Sequence, residues 1–243
     1  MGLLEGKTVL VTAAAGTGIG SATARRCKEE GARVAISDLH ERRLNETAEE
    51  LGVFGVVANV TSEADVQRSI DAVVAEFGQL DVLVNNAGLG GTATLTEMTD
   101  EQWSTVLDVT LTGTMRMTRA ALKHMYERGS GAIVNNASVV GWRAQEGQSH
   151  YAAAKAGVMA LTRCAAIEAA PNGVRINAVA PSLAMHPFLA KVTTEELLAE
   201  LTTREAFGRA AEPEEVANVI IFLASELASY MTGEVLSVSS QHP

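Results

Sequence analysis

The sequence predicts an α/β fold with one domain over residues 1–243, built on a doubly wound parallel sheet of seven strands. Its 243 residues suit one domain with a sizeable core. Short apolar, β-branched runs alternate along the chain with helical patterns. No internal repeat, low-complexity tract or Pro/Gly/Ser linker divides the chain. We therefore expect a single layered unit.

Seven apolar runs predict the strands. Runs that are continuously apolar, rather than alternating with polar residues, are typical of parallel strands covered on both faces. In chain order they are TVLVT (8–12), RVAIS (33–37), GVVAN (55–59), DVLVNN (81–86), AIVNN (132–136), RINAVA (175–180) and EVLSVS (234–239).

Helical patterns fill most of the intervals between these strands. The predicted helices span 20–30, 41–51, 63–77, 100–127, 150–170 and 213–228. A long insertion at 182–212 precedes the last helix. Because ligands of open α/β sheets bind beyond the carboxyl ends of the strands, where this insertion begins, we predict that it forms a substrate lid.

Composition argues against several classes of partner. A net charge of −10 provides no basic surface for nucleic acid or for an anionic membrane. The first residues, MGLLEGKTVLVT, lack the basic region and apolar run of a signal peptide, so we expect a cytoplasmic protein. Cys27 and Cys164 match no metal or redox spacing, and no metal site is predicted.

A glycine-rich turn follows the first strand. Gly16, Gly18 and Gly20 lead directly into a helix. Glycines at this point let the backbone approach a pyrophosphate, which then lies on the amides at the helix N-terminus. The combination of strand, turn and helix predicts a Rossmann-type dinucleotide site.

Asp38 ends the second strand, eighteen residues beyond Gly20. A carboxylate there can accept hydrogen bonds from the adenosine ribose and would repel a 2′-phosphate, which favours NAD over NADP. Two alternatives remain open. Asp38 could instead be the N-cap of the helix that follows it, and Arg42 and Arg43 keep NADP possible.

A tyrosine and a lysine stand four residues apart in HYAAAKAG, residues 150–157. On a helix, Tyr151 and Lys155 would share one face. A cation beside a phenol favours the phenolate and lowers its pKa, so the two residues could form a proton-transfer pair. The alternative is a packed tyrosine ring beside a lysine that extends to water.

The glycine turn, the segment NNAG at 85–88, Ser138, Tyr151 and Lys155 occur in the order typical of one family. With them, the sequence resembles the classical short-chain dehydrogenases/reductases over essentially its whole length. The resemblance implies hydride transfer between a secondary alcohol or ketone and a nicotinamide. In that reading Tyr151 is the acid or base, Lys155 lowers its pKa and binds the nicotinamide ribose, and Ser138 polarises the substrate oxygen.

The same resemblance implies the other cofactor contacts and the assembly. The helices at 100–127 and 150–170, with the C-terminal strand, would build a homotetramer. The expected cofactor-binding residues are Thr12, Gly16, Gly18, Ile19 and Gly20 in the turn, Asp38 at the ribose, Asn59 and Val60 beside the adenine, and Asn86, Ala87 and Gly88 over the adenine ribose.

Two departures from the family pattern concern the site. Ala13 follows Thr12 where a glycine is usual, and the loop to Gly18 is one residue longer. Thr110 occupies the place of an asparagine that holds a water of the proton relay. We predict that the Thr110 hydroxyl preserves this relay, because it can donate and accept. The alternative is that Thr110 only packs its helix against a neighbour.

Four segments of the chain resemble the family members of bacterial steroid degradation, which act on a hydroxylated hydrindane ring that carries a coenzyme A thioester. A fused ring would suit the apolar side chains of the predicted lid region. His186 could meet a polar ring substituent or a phosphate. Ordinary lid packing is the alternative for all of them. The apolar residues are Trp142, Leu183, Met185, Phe188 and Leu189.

Two further functions stay open. Overall similarity also permits a 3-oxoacyl-thioester reductase acting on acyl-carrier-protein or CoA substrates, although such enzymes usually prefer NADPH, which Asp38 disfavours. A dinucleotide-binding sensor or scaffold without activity is the other. Thr110 and the altered turn favour the scaffold, whereas Ser138, Tyr151 and Lys155 argue against it.

Overall fold

The computed structural model describes residues 2–185 and 195–241, and it confirms the predicted seven-stranded parallel sheet. The strands follow the order β3-β2-β1-β4-β5-β6-β7, which reverses direction between β1 and β4. Such a reversal point is where open α/β sheets bind their ligands. The strands are β1 Thr8–Thr12, β2 Arg33–Asp38, β3 Phe54–Val57, β4 Val82–Asn85, β5 Gly131–Asn136, β6 Val174–Pro181 and β7 Val235–Val238.

Helices cover both faces of this sheet. The described α-helices are α1 Ile19–Glu29, α2 Glu41–Leu51, α3 Glu63–Phe77, α4 Asp100–Leu107, α5 Gly113–Arg128, α6 Ser149–Ala169, α7 Glu195–Thr203 and α8 Pro213–Ala224. Helices α1, α2 and α8 pack on one face, and α3, α5 and α6 pack on the other.

The continuous apolar strands arise because successive side chains enter opposite cores. In β1, Val9 and Val11 pack with the layer of α1, α2 and α8, whereas Leu10 packs with the layer of α3, α5 and α6. All three are fully buried. Pairing is parallel and in register throughout, for example Asn85 of β4 opposite Asn135 of β5. The carboxyl ends of the central strands therefore meet at one edge.

The prediction of one continuous helix at 100–127 is wrong, because the structure has two helices there. A π-helical turn at Asp108–Thr112 separates α4 from α5. At this turn the Thr110 hydroxyl bonds to the backbone of Leu89, and the Thr114 hydroxyl donates to the Thr110 carbonyl at 2.8 Å. Side chains therefore compete with the regular helix ladder, a common origin of helix distortions at functional sites.

Other boundaries also differ from the sequence prediction. Strand β3 ends at Val57, so Asn59 lies in the following turn, where its side-chain oxygen accepts from the Thr61 amide. Helix α8 ends at Ala224 because Ser225 is extended and its hydroxyl caps the 3-10 turn Glu226–Ala228. The predicted insertion at 182–212 contains α7, which the sequence prediction missed.

Some expected features fall outside what the structure describes. His186, Phe188 and Leu189 of the predicted lid lie outside the described residues. Across 2–185 and 195–241, no helix is long and apolar enough to cross a membrane. The same ranges contain no cluster of three or more His, Cys, Asp or Glu side chains arranged to hold a metal.

Candidate active site

The turn between β1 and α1 forms an open cradle at the N-terminus of α1. Ala13 has a φ of 50°, and Gly16 has a φ of 99°. Side chains added at Gly16 or Gly18 would meet no atom within 4 Å, so both positions face open space. The first turn of α1, which begins at Ile19, contains no acidic residue. Free helix amides beside an open space are suited to an anionic pyrophosphate.

Asn86 connects this turn to the rest of the site by hydrogen bonds. Its side-chain nitrogen donates to the carbonyls of Thr12 and Ala13 at 3.1 and 3.0 Å. The Thr12 hydroxyl accepts the amides of Asn86 and Ala87, each at 3.0 Å. A Cβ at Gly20 would lie 2.6 Å from both the Ala13 carbonyl oxygen and the Asn86 nitrogen. Glycine at position 20 is thus required by this close approach.

Asn136, at the end of β5, extends the same network to the lysine. Its side-chain nitrogen donates to the Asn86 side-chain oxygen at 3.0 Å. Its carbonyl accepts a hydrogen bond of 2.5 Å from Lys155 Nζ. An unbroken path of hydrogen bonds therefore joins the glycine turn to the lysine of α6.

The structure brings Ser138, Tyr151 and Lys155 together. Lys155 is buried in α6, and its Nζ lies 5.5 Å from the centroid of the Tyr151 ring. The two side chains share one helix face, as the spacing predicted. Ser138 lies two residues beyond β5, is buried, and forms a hydrogen bond with Tyr151 that bears on the tyrosine pKa. The arrangement places a hydroxyl, a phenol and an ammonium in one pocket.

The expected lowering of the Tyr151 pKa is wrong for this arrangement. Burial raises the pKa of Tyr151 to about 12, and the hydrogen bond with Ser138 offsets only part of that rise. Burial also lowers the pKa of Lys155 to about 8. Because the Lys155 ammonium bonds to the Asn136 carbonyl and not to the phenol, it does not lower the pKa of Tyr151 here. At neutral pH the phenol therefore carries a proton that it can donate.

Thr110 lies beside the lysine and holds a loop. It is fully buried in the π-helical turn. Its hydroxyl accepts the Leu89 amide at 2.9 Å and donates to the Leu89 carbonyl at 3.2 Å. A Cβ at Gly88 would lie 3.4 Å from Lys155 Nζ and 3.8 Å from the Thr110 hydroxyl. Thr110 thus fixes the loop that borders the lysine, and since its one proton goes to the Leu89 carbonyl, its part in a proton relay stays a prediction.

Asp38 faces the glycine turn at the far end of the cradle. Its Oδ2 accepts the Ala15 amide at 3.2 Å, and its Oδ1 accepts the His40 amide at 2.9 Å. The N-cap of α2 is His40, so Asp38 does not occupy the cap position that was the alternative. Burial raises the pKa of Asp38, and Arg43 opposes that rise. Arg42 is exposed and pairs with Glu46 at 3.1 Å.

Asn59 and Val60 follow β3 on the adenine side of the predicted site. The Asn59 amide donates to Asp65 at 3.1 Å, and the Asn59 side-chain oxygen accepts the Thr61 amide and hydroxyl at 3.0 and 2.9 Å. Val60 is buried and packs near Gly113, whose Cβ would lie 2.8 Å from it.

Apolar side chains border the substrate side of the pocket. Trp142 follows the 3-10 turn Val139–Gly141 and is 50% exposed. Leu183 is buried and Met185 is partly buried just beyond β6, where the Met185 amide donates to the Ala211 carbonyl at 2.9 Å. The described part of the predicted lid thus joins its own two ends beside Ser138.

Asn136 is the site residue that the sequence analysis missed. A signal was present, because the doublet NN ends two strands that pair side by side, at 85–86 and 135–136. Polar doublets that end neighbouring parallel strands must meet at one edge.

The chain matches known proteins along almost its whole length. A family model described as enoyl-(acyl carrier protein) reductase matches residues 13–240. A (5R,7aS)-5-hydroxy-7a-methyl-1-oxo-2,3,5,6,7,7a-hexahydro-1H-indene-carboxyl-CoA reductase of Mycobacterium tuberculosis is 65% identical, covering 100% of this chain and 95% of the relative. A 3-oxoacyl-(acyl-carrier-protein) reductase of Thermotoga maritima is 40% identical, covering 97% of each chain.

A solved structure gives the same result for the fold. The crystal structure of a short chain dehydrogenase from Mycobacterium smegmatis superposes with a TM-score of 0.89 at 60% sequence identity. The match covers 100% of this chain and 95% of that one. Both the sheet and its connections are therefore similar to those of a known dehydrogenase.

Thr110 gives a test of the loop contact. Thr110→Val keeps the shape but removes both hydrogen bonds from the Thr110 hydroxyl to the Leu89 backbone, so the loop beside Lys155 loses its anchor and we expect turnover to fall about tenfold or more. Thr110→Ser keeps the hydroxyl and serves as the matched control, and we expect Thr110→Asn to be tolerated. Steady-state rates with melting temperatures decide the matter. A fully active, normally folded Thr110→Val enzyme would show that the residue only packs.

Proposed function

This chain belongs to the short-chain dehydrogenase/reductase family, and from that premise we propose that it interconverts a ring alcohol and a ketone on a hydrindane skeleton that carries a CoA thioester. It is an oxidoreductase that acts on CH–OH groups with a nicotinamide dinucleotide. The proposal concerns the substrate, the roles of the residues and the choice between NAD and NADP.

Tyr151 would exchange the proton with the substrate oxygen. Its phenol is protonated at neutral pH, which suits donation to a ketone oxygen as the hydride arrives. In the reverse direction Tyr151 must accept the alcohol proton. Ser138 would hold the same oxygen by its hydroxyl. Lys155, fixed on the Asn136 carbonyl, would place its positive charge beside the developing phenolate.

The open cradle fits the dinucleotide that this chemistry needs. Gly16 and Gly18 leave room, and the N-terminus of α1 offers amides to a pyrophosphate. When bound, the nicotinamide supplies the hydride or accepts it. We assign the binding to the expected set Thr12, Gly16, Gly18, Ile19, Gly20, Asp38, Asn59, Val60, Asn86, Ala87 and Gly88, with Tyr151 and Lys155 at the ribose beside the nicotinamide.

One observation carries the choice of substrate, namely 65% identity over the whole chain to a reductase whose name specifies a hydroxylated hydroindene carboxyl-CoA. The apolar border agrees with it. Trp142 ends the turn that Ser138 begins, and Leu183 lies two residues beyond Pro181, whose carbonyl accepts the Ser138 hydroxyl; they would offer flat and branched apolar surfaces to a fused ring. We propose that the segment at 182–212 covers this ring as a lid.

A 3-oxoacyl-thioester reductase is the second candidate. The relative from Thermotoga maritima supports it, but at 40% identity against 65%. A scaffold without activity finds less support, because the protein keeps a partly buried phenol beside a buried ammonium and a buried hydroxyl. Buried polar groups are costly to maintain without a chemical use.

We propose NAD as the cofactor, with NADP less favoured. Asp38 supports this choice, since its carboxylate lies at the end of β2 and a 2′-phosphate there would meet like charge. Exposed Arg42 is already paired with Glu46 and so gives NADP little support.

We also propose a homotetramer in the cytoplasm. Support for assembly comes from exposed apolar side chains on and beside α6. Ile167 of α6 is 78% exposed, and Leu227 and Tyr230 are exposed in the segment that precedes β7. That segment lies against α6, because a Cβ at Gly233 would be 3.6 Å from Ala166. Such patches commonly mark contacts between subunits.

The substrate assignment is tested by oxidation of two CoA thioesters measured side by side. We expect kcat/KM for a hydroxylated hydrindane acyl-CoA to exceed that for a straight-chain 3-hydroxyacyl-CoA by about tenfold or more, because a rigid ring buries more apolar area without losing chain entropy. Trp142→Ala should reduce this ratio, and Trp103→Ala on α4 should not. A preference for the straight chain supports the second candidate. Nucleotide binding without any turnover supports the scaffold.

Cofactor choice is tested at Asp38. Asp38→Asn removes the charge and keeps one oxygen, which can accept only one of the Ala15 and His40 amides. Because the like charge is gone, we expect the ratio of kcat/KM for NADP to that for NAD to rise about tenfold. Glu49→Gln, which removes an exposed carboxylate of α2 and leaves both Asp38 and the Arg42–Glu46 pair intact, is the control. The assignment is wrong if the unaltered enzyme uses NADP as efficiently as NAD, or if Asp38→Asn leaves the ratio unchanged.

A further inference from the structure

Glu205 is a buried carboxylate that neither the proton transfer nor the nucleotide site uses. It follows α7 and is only 4% exposed. Its Oε1 accepts the Leu183 amide at 3.3 Å and the Gln241 side-chain nitrogen at 2.8 Å, and its Oε2 accepts the Ser240 hydroxyl at 2.8 Å. Within the described ranges no cation forms a salt bridge with it. A buried charge held by neutral donors alone is costly.

This carboxylate joins segments that are far apart in the sequence. Leu183 lies at the start of the segment 182–212, and Glu205 lies near its end. Ser240 and Gln241 belong to the chain after β7, where the Ala206 amide donates to the Ser240 carbonyl at 3.0 Å. One side chain therefore fixes both ends of the proposed lid to the C-terminal residues.

Gln241 carries the connection to the loop beyond Ser138. The Arg143 guanidinium donates to the Gln241 side-chain oxygen and, at 3.4 Å, to the Gln241 carbonyl. Arg143 directly follows Trp142, and its amide donates to the Val139 carbonyl in the turn that Ser138 caps. The path from Glu205 thus joins Leu183, after β6, to the loop that contains Trp142 and Arg143.

We propose that Glu205 is a positioning residue for the substrate, which sets the distance between Leu183 and the Trp142–Arg143 loop through Gln241. The inference rests on the proposed function, in which a fused ring binds between these two borders. Nucleotide binding is independent of Glu205, because the glycine turn is held by Asn86 and Thr12 and the lysine by Asn136.

The first test is Glu205→Gln in the full-length enzyme. The single amide nitrogen would take the place of Oε2 and face the Ser240 hydroxyl, while the remaining oxygen, now uncharged, would accept the Leu183 amide and the Gln241 nitrogen more weakly. We expect KM for the hydrindane acyl-CoA to rise about tenfold or more, kcat to change by less than about threefold, and the dissociation constant of NAD, measured by calorimetry, to stay within about twofold. Glu200→Gln, an exposed glutamate of α7 paired with Arg204, is the matched control and should change none of them.

Exchange of the two side chains separates positioning from simple stability. Adding Gln241→Glu to Glu205→Gln restores a carboxylate-to-amide hydrogen bond across the same pair and places the charge beside Arg143. We expect KM to return to within about threefold of the parent. Arg143→Met removes the second half of the path without disturbing the buried carboxylate, and should raise KM in the same direction.

Three results would overturn the inference. The first is a KM that neither Glu205→Gln nor Arg143→Met changes. The second is a parallel loss of substrate affinity, NAD affinity and melting temperature in Glu205→Gln. The third is an exchanged pair, Glu205→Gln with Gln241→Glu, that does not recover KM. An enzyme that turns over the acyl-CoA normally in all variants defeats this inference alone. A parent enzyme that does not turn it over defeats the proposed function and this inference with it.

Discussion

The carboxamide of Asn86 is the interaction on which the geometry of the site depends. Its nitrogen donates hydrogen bonds to the Thr12 and Ala13 carbonyls of the turn after β1, and its oxygen accepts one from the side-chain nitrogen of Asn136. The Asn136 carbonyl in turn holds the buried ammonium of Lys155. Three elements that are distant in the sequence, β1, β5 and α6, thus share one hydrogen-bonded unit. Because each buried polar group here depends on its neighbour, the glycine turn and the lysine cannot shift independently.

A second, separate set of hydrogen bonds positions the substrate side of the site. Its borders belong to the segment after β6 and to the loop after Ser138, which are joined through Glu205, Gln241 and Arg143 instead of through the sheet. The two networks come together near Ser138, whose hydroxyl donates to the Pro181 carbonyl at 3.5 Å. This division fits an enzyme family in which the nucleotide site is general and the substrate segment differs between members.

Most of the fold could be predicted because its signals are local. Continuous apolar runs predicted six of the seven strands to within one residue of their observed ends, while β3 ended two residues early because the chain turns at Asn59, whose side chain accepts the Thr61 amide. The π-helical turn could not be predicted, since it depends on a contact between Thr110 and Leu89, twenty-one residues away. The predicted lowering of the Tyr151 pKa was wrong for a similar reason. Helical spacing brings Lys155 near Tyr151, but the Lys155 ammonium bonds to the Asn136 carbonyl and not to the phenol. Sequence spacing identifies the side chains of a site better than the partners that they choose.

The most direct test of the account is Tyr151→Phe, measured by turnover and by NAD affinity in the same preparation. The change removes the phenol oxygen and leaves the ring beside Lys155, so the network from Asn86 to the lysine stays intact. Loss of the proton donor should cost about two to four orders of magnitude in turnover, with the NAD dissociation constant nearly unchanged. Turnover within about threefold of the parent would contradict the role of Tyr151 in proton transfer and the mechanism built on it.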